Sequence, residues 1–183
     1  MASSGQLTTS ALEALLQGAT LAGNWTLDES KSTIGLKSKS MWGMVPVKGV
    51  FRQITGNGTL SPAGEVSGTI SVAAESIDTK NKKRDTHLRS ADFFDSGTHP
   101  YITFTVDQVS PAAEGVTVAG RLTVHGRTAP ISFPATVSVL GDDEVQLDAE
   151  VEVNRADFGL TWNKMGMTSM INTITVHAVF GKH

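Results

Sequence analysis

Val145-Gln146-Leu147-Asp148-Ala149-Glu150-Val151-Glu152-Val153 alternates apolar and polar side chains without a fault. Successive side chains of a β-strand point to opposite faces, so this period of two predicts a strand with one dry face and one wet face. Residues 116–124 and 131–139 show nearly the same pattern, and Pro134 falls at an outward position, where its missing N–H predicts an edge or a bulge. Further out, eight main segments of this kind lie near 33–41, 45–55, 65–75, 100–109, 115–125, 129–140, 144–153 and 171–181, with a short additional strand near 24–28. No linker, internal repeat or low-complexity tract separates them. Eight amphipathic strands in succession form an all-β, antiparallel up-and-down barrel more easily than an open sheet, because closure removes unpaired edges. The barrel domain is placed at 23–183, after an N-terminal segment at 1–22. In that segment Ser10-Ala11-Leu12-Glu13 fits a capping box, Gly18 fits a helix end, and Leu12, Leu15 and Leu16 share a face. A short helix over 8–18, docked on the barrel, is expected.

An eight-stranded barrel either fills with side chains or holds one small ligand, and the size of its inward residues decides. Several inward positions carry little or no side chain. Gly49 stands between Val47 and Phe51, Gly68 between Val66 and Ile70, and Gly120 between Val118 and Leu122. Ala135 likewise stands between Phe133 and Val137, and Ala149 between Leu147 and Val151. Leu36, Val72, Phe104, Ile174 and Val176 complete the expected apolar lining. The bland alternative is that the glycines relieve strand coiling and the alanines interleave with large neighbours. Aromatics make up only 6% of the chain, and protein interiors do not leave space unfilled without a reason, so a hollow interior is preferred.

In a meander, alternate loops share an end. Loops 56–64, 110–114 and 141–143 are short and rich in Gly, Pro, Ser and Asp. Loops 42–44, 76–99, 126–128 and 154–170 fall at the other end, which collects every long or chemically unusual segment. Trp42, Trp162 and Met165, with Met167 and Met170 nearby, are expected to frame an adaptable apolar mouth there. The 84–95 loop adds Arg84, Asp85, His87, Arg89, Asp92 and Asp95. Its alternating charges argue for pairing among themselves, which would peg the loop to the rim. Arg89, His87 and His125 are the candidates for touching a ligand's polar head.

Composition excludes several other roles. The net charge is −3, and the one basic cluster, Lys80-Asn81-Lys82-Lys83-Arg84, ends at once in Asp85, so no nucleic-acid partner is expected. The absence of cysteine removes disulfides, thiolate metal sites and a cysteine nucleophile. No stretch approaches the roughly 20 apolar residues of a membrane span, and Met1-Ala2-Ser3-Ser4-Gly5-Gln6 does not look like a signal peptide, so a cytoplasmic location is expected. The five histidines have no mutual ligand spacing, and no nucleophile elbow or phosphate-binding glycine loop occurs. Neither a metal nor a catalytic cofactor is expected, and the sequence leaves a homodimer open.

Ser76-Ile77-Asp78-Thr79, then Arg84-Asp85-Thr86-His87-Leu88-Arg89-Ser90-Ala91-Asp92-Phe93-Phe94-Asp95, then His99-Pro100-Tyr101-Ile102-Thr103-Phe104 resembles the central signature of the YceI family. Gly120-Arg121-Leu122-Thr123-Val124-His125-Gly126 and Arg155-Ala156-Asp157-Phe158-Gly159-Leu160 resemble its two later motifs. Trp25-Thr26-Leu27-Asp28 through Val50-Phe51 resembles its opening, so the likeness covers nearly all of 23–181 in order. It implies a lipocalin-like barrel that binds a polyisoprenoid, or an isoprenoid-tailed quinone or pyrophosphate, for transport, storage or sequestration. Many relatives are exported, unlike the expectation for this chain. Two other readings stay open: an enzyme on an isoprenoid-like substrate, with His87 or His125 as base and Arg89 for an anion, and a filled barrel serving as an interaction protein.

Overall fold

The computed structural model describes residues 20–183, so the helix expected over 8–18 lies outside the described residues. The strands are β1 (Gly23–Leu27), β2 (Thr33–Ser40), β3 (Val45–Phe51), β4 (Ile54–Leu60), β5 (Val66–Ala73) and β6 (Ile77–Asp78). After helix α1 (Lys82–Arg89) come β7 (Tyr101–Pro111), β8 (Val116–Val124), β9 (Arg127–Gly141), β10 (Glu144–Asn154) and β11 (Ile171–Lys182). The first six strands are three long ones, each broken once. β1 and β2 are interrupted by a 3-10 turn at Glu29–Lys31, where the Asp28 side chain accepts from the Ser30 N–H. β1 pairs with β4 while β2 pairs with β3, and β4 pairs with β5 while β3 pairs with β6.

From β5 the chain runs through β7, β8, β9, β10 and β11, each antiparallel to the one before. β11 then pairs with both β2 and β1. The result is the closed eight-stranded up-and-down barrel that the alternation predicts, with one α-helix among the described residues.

Two local departures have physical causes. Residues 56–64 read as a loop, yet β4 runs to Leu60, with Gly56 and Gly58 opposite Ile70 and Gly68 of β5. Glycines keep the strand register there without giving an apolar signal. At Pro134, β9 is paired with β8, whereas its pairing with β10 begins only at Thr136. The proline therefore stands where β9 has already left β10, on the unladdered side where a missing donor costs nothing.

Buried residues fall into three groups. Leu21, Trp25 and Leu60 pack together at the end carrying the short turns. Val116, Val118, Phe133, Ala135 and Val151 form the wall of β8, β9 and β10. The largest cluster joins Phe51, Ile77, Phe94, Leu122 and Phe158 toward the other end. Many inward residues, including Leu36, Ile70, Val137, Leu147, Ile174 and Val176, are only half-buried although they face away from bulk solvent. Inward side chains retain exposure only when a space lies in front of them.

Candidate functional site

That space is a cavity of about 480 Å³ running along the barrel, within the ordinary size range of small-molecule sites. One end is walled by Trp25, Leu60, Val139 and Val145, the other by Ser38, Ser40, His87, Trp162 and Thr168. Sixteen of the nineteen residues assigned to lumen and mouth from sequence lie on its wall. On β2, β3 and β5 these are Leu36, Val47, Gly49, Phe51, Ile70 and Val72. Phe104, Val118, Leu122, Phe133 and Val137 follow on β7 to β9, Leu147, Val151, Ile174 and Val176 on β10 and β11, and Trp162 closes one end.

The other three are corrections. Gly120 faces inward, but a Cβ there would meet Phe104 Cζ at 2.6 Å and collide with the Thr105 carbonyl. Its missing side chain is a seat for the Phe104 ring, not free lumen. Trp42 and Met165 are 62% and 76% exposed, and neither lines the cavity. Both have left-handed backbone, φ 54° and 55°, at the tips of loops linked by a Trp42 N–H to Met167 carbonyl bond of 3.1 Å.

Gly49 and Gly68 line the cavity, yet a Cβ at Gly49 would stand 2.8 Å from Thr79 Cγ2, and one at Gly68 2.6 Å from the Asn57 carbonyl. Both serve close approach of neighbouring chain. Ala135 and Ala149 do not line the cavity. The hollow comes from walls built mainly of Val, Ile and Leu, which do not reach across the barrel.

The head-group candidates separate. His87 does line the cavity; its Nε2 lies 2.8 Å from Asp92 Oδ2, and its ring packs at 4.5 Å from Trp162 and 5.1 Å from Phe93. Arg89 is off the wall, donating from Nη2 to the Ile77 carbonyl at 3.0 Å. His125 sits in the β8–β9 turn, also off the wall, with its ring 4.8 Å from that of His99. The 84–95 segment is pegged to the barrel as expected, but by different partners. Asp85, 6% exposed, accepts from the Thr79 N–H at 2.9 Å and hydroxyl at 2.5 Å. Arg84 donates to the Thr79 hydroxyl at 2.8 Å and carbonyl at 2.9 Å. The charges anchor to Thr79 and the β6 backbone rather than cancelling one another, apart from His87 with Asp92.

A residue given only a structural default by sequence stands at the polar end of the cavity. Arg155, 6% exposed, lines the wall. Its Nε donates to the Ser169 carbonyl at 3.0 Å, and its Nη1 to those of Leu160 and Trp162 at 2.9 and 2.7 Å. The guanidinium lies 5.5 Å from the Phe93 ring centroid. No carboxylate pairs with it among the described residues, its Nη2 is buried without a partner, and burial lowers its pKa. The Arg155-Ala156-Asp157-Phe158-Gly159 motif was the available signal; sequence did not tell that the arginine points inward without a counter-ion. Arg84, Thr79 and Asn172 share this end of the wall.

Comparison with known proteins agrees with the geometry. The profile of the YceI-like domain matches residues 25–180. A UPF0312 protein of Yersinia enterocolitica is 32% identical over 120 residues, 62% of this chain and 62% of that protein. The YceI protein of Escherichia coli is 30% identical over 119 residues, 61% of this chain and 62% of its own length. The chain thus matches a little under two thirds of each of these relatives. Among solved structures, Burkholderia cenocepacia BcnA superposes with a TM-score of 0.76 at 25% identity, covering 84% of this chain and 98% of that one. A polyisoprenoid binding domain from Saccharophagus degradans gives 0.70 at 19% identity, covering 87% and 98%, which shows the shared fold.

Proposed function

The chain belongs to the YceI-like domain family, and on that premise we propose that its barrel takes up one long, slender lipophilic molecule, a polyisoprenoid or an isoprenoid-tailed quinone or pyrophosphate. It would hold that molecule for transport, storage or sequestration. The supporting observation is the cavity of about 480 Å³ with a mainly apolar wall, whose ionisable lining residues, Lys39, Arg84, His87 and Arg155, stand at the end opposite Trp25 and Leu60. The energy is burial, about 0.8 kcal/mol per methylene taken from water, so one five-carbon unit is worth several kcal/mol before ordering costs. The tail lies toward Trp25 and Leu60. The head lies beside the unpartnered Nη2 of Arg155, a buried donor that costs free energy until an acceptor reaches it. Binding without chemical change is the reading favoured over catalysis, because the two histidines of the enzymatic alternative do not face one cavity: His87 does and His125 does not.

Titrating lipid-stripped protein with all-trans prenyl alcohols of increasing length tests this. Affinity should rise with each added unit and then level off once the lumen is full. The emission of Trp25 and Trp162, which both line the cavity, should shift on binding, so Trp162→Phe reduces the signal and Trp42→Phe keeps it. Affinity independent of length, or a signal carried by Trp42, would count against a lumen site.

A further inference from the structure

The lumen does not use Asp95, His99 or His125, yet the fold gathers these three residues from two separate segments at the mouth end. His125 and Gly126 are the two central residues of the β8–β9 hairpin, between the paired Val124 and Arg127, with φ of 54° and 73°. A two-residue turn with positive φ at both positions most readily takes Asn-Gly; histidine is one of the few other side chains enriched at positive φ. Gly126 also makes room for the second ring, since a Cβ there would lie 2.7 Å from His99 Cε1. Asp95, itself at φ 48°, accepts the His99 N–H on its carbonyl at 2.8 Å, a one-turn loop that returns the two residues to each other.

One ligand atom from each side chain lies within 4.8 Å of the others, and all three residues are half-buried. Among the described residues, none of the three side chains forms a hydrogen bond or an ion pair. The nearby Arg127 guanidinium is turned elsewhere, against Gly159. Two imidazoles and a carboxylate, with no thiolate, form a donor set for a borderline divalent metal such as Zn²⁺, Co²⁺ or Ni²⁺.

We propose that Asp95, His99 and His125 bind one divalent transition-metal ion on the outer side of the barrel mouth, with water completing the coordination. Donors on one tetrahedral zinc stand about 3.3 Å apart. Side-chain rotations that close the observed gaps by up to about 1.5 Å therefore suffice. The bound ion ties the segment carrying α1, Phe93 and Phe94 to the β8–β9 turn, and by mass action it stabilises the folded chain.

The test uses the full chain, free of any affinity tag and treated with a chelator, titrated with Zn²⁺ by calorimetry. The expected result is saturation at one Zn²⁺ per chain and a melting temperature that rises with added Zn²⁺. His99→Ala, His125→Asn and Asp95→Asn should each weaken binding by at least about tenfold. Asparagine is chosen because it accepts positive φ. His87→Ala and His177→Ala should leave affinity unchanged. In the unmodified chain, the imidazole ¹⁵N resonances of His99 and His125 should move on Zn²⁺ addition while those of His87 and His177 stay, a readout that needs no variant to fold. Absence of stoichiometric binding overturns the proposal. So does binding retained in the His99→Ala/His125→Asn double variant, or resonance shifts at His87 or His177 instead.

Discussion

At Gly120 a small inward residue and an empty space are different things. Val118 and Leu122 put Gly120 on the dry face, as alternation predicts, and both line the lumen. The void expected at Gly120 itself is occupied by the edge of Phe104. Gly120→Leu is therefore expected to overpack the wall and cost roughly 1–3 kcal/mol or more of unfolding free energy. Val137→Phe on the neighbouring β9 points into the cavity, so it should change stability little while weakening uptake of a prenyl alcohol. Urea unfolding and ligand titration of the two variants separate these outcomes, and a tolerated Gly120→Leu would mean that Phe104 does not sit where the structure puts it. Which residues face inward is legible from period two alone. Which inward residue fills its neighbour's space is not, because that depends on cross-strand pairs such as Val106 with Gly120, set by a bulge between Val106 and Gln108.

Among the elements, the segment after β6 decides how the mouth is built. β6 pairs only two residues with β3, and the chain then leaves the sheet for α1, capped by the Asn81 side chain accepting from the Arg84 N–H at 3.0 Å. Its charge alternation predicts pairing within the loop; Arg84, Asp85 and Arg89 instead bond to the Ile77–Thr79 stretch, and this pegs the segment to the barrel. The particular partners were not legible, because Thr79 and the β6 carbonyls carry no charge signal. Asp85→Ala removes a buried acceptor and leaves the Thr79 N–H unsatisfied, so it should cost about 2–3 kcal/mol. Asp85→Asn, which keeps an acceptor oxygen, should cost less. Urea denaturation measures both, and limited proteolysis should cut first within 79–100 in the alanine variant. A loss below about 0.5 kcal/mol would show that α1 is held by its apolar contacts and not by Asp85.

At the scale of the whole molecule, the strand count and the meander follow from the alternation of nine-residue runs such as 145–153 and from loop parity. Closure holds the strands together, and the half-buried inward residues report the space that closure leaves. The extension of β4 through Gly56 and Gly58, and the inward turn of Arg155, escaped sequence because neither a glycine-rich strand nor an arginine in a short 3-10 turn shows which way it faces. That space is proposed to hold one lipophilic molecule. Native mass spectrometry of the chain, purified without detergent and then mixed with one equivalent of a long prenyl alcohol, tests it most directly. The expected result is a single added mass equal to one ligand, released into organic solvent, with occupancy sharply reduced by Val176→Trp, which fills the lumen from β11. A chain that stays at its bare mass, or one that takes up several ligands unaffected by Val176→Trp, would contradict it.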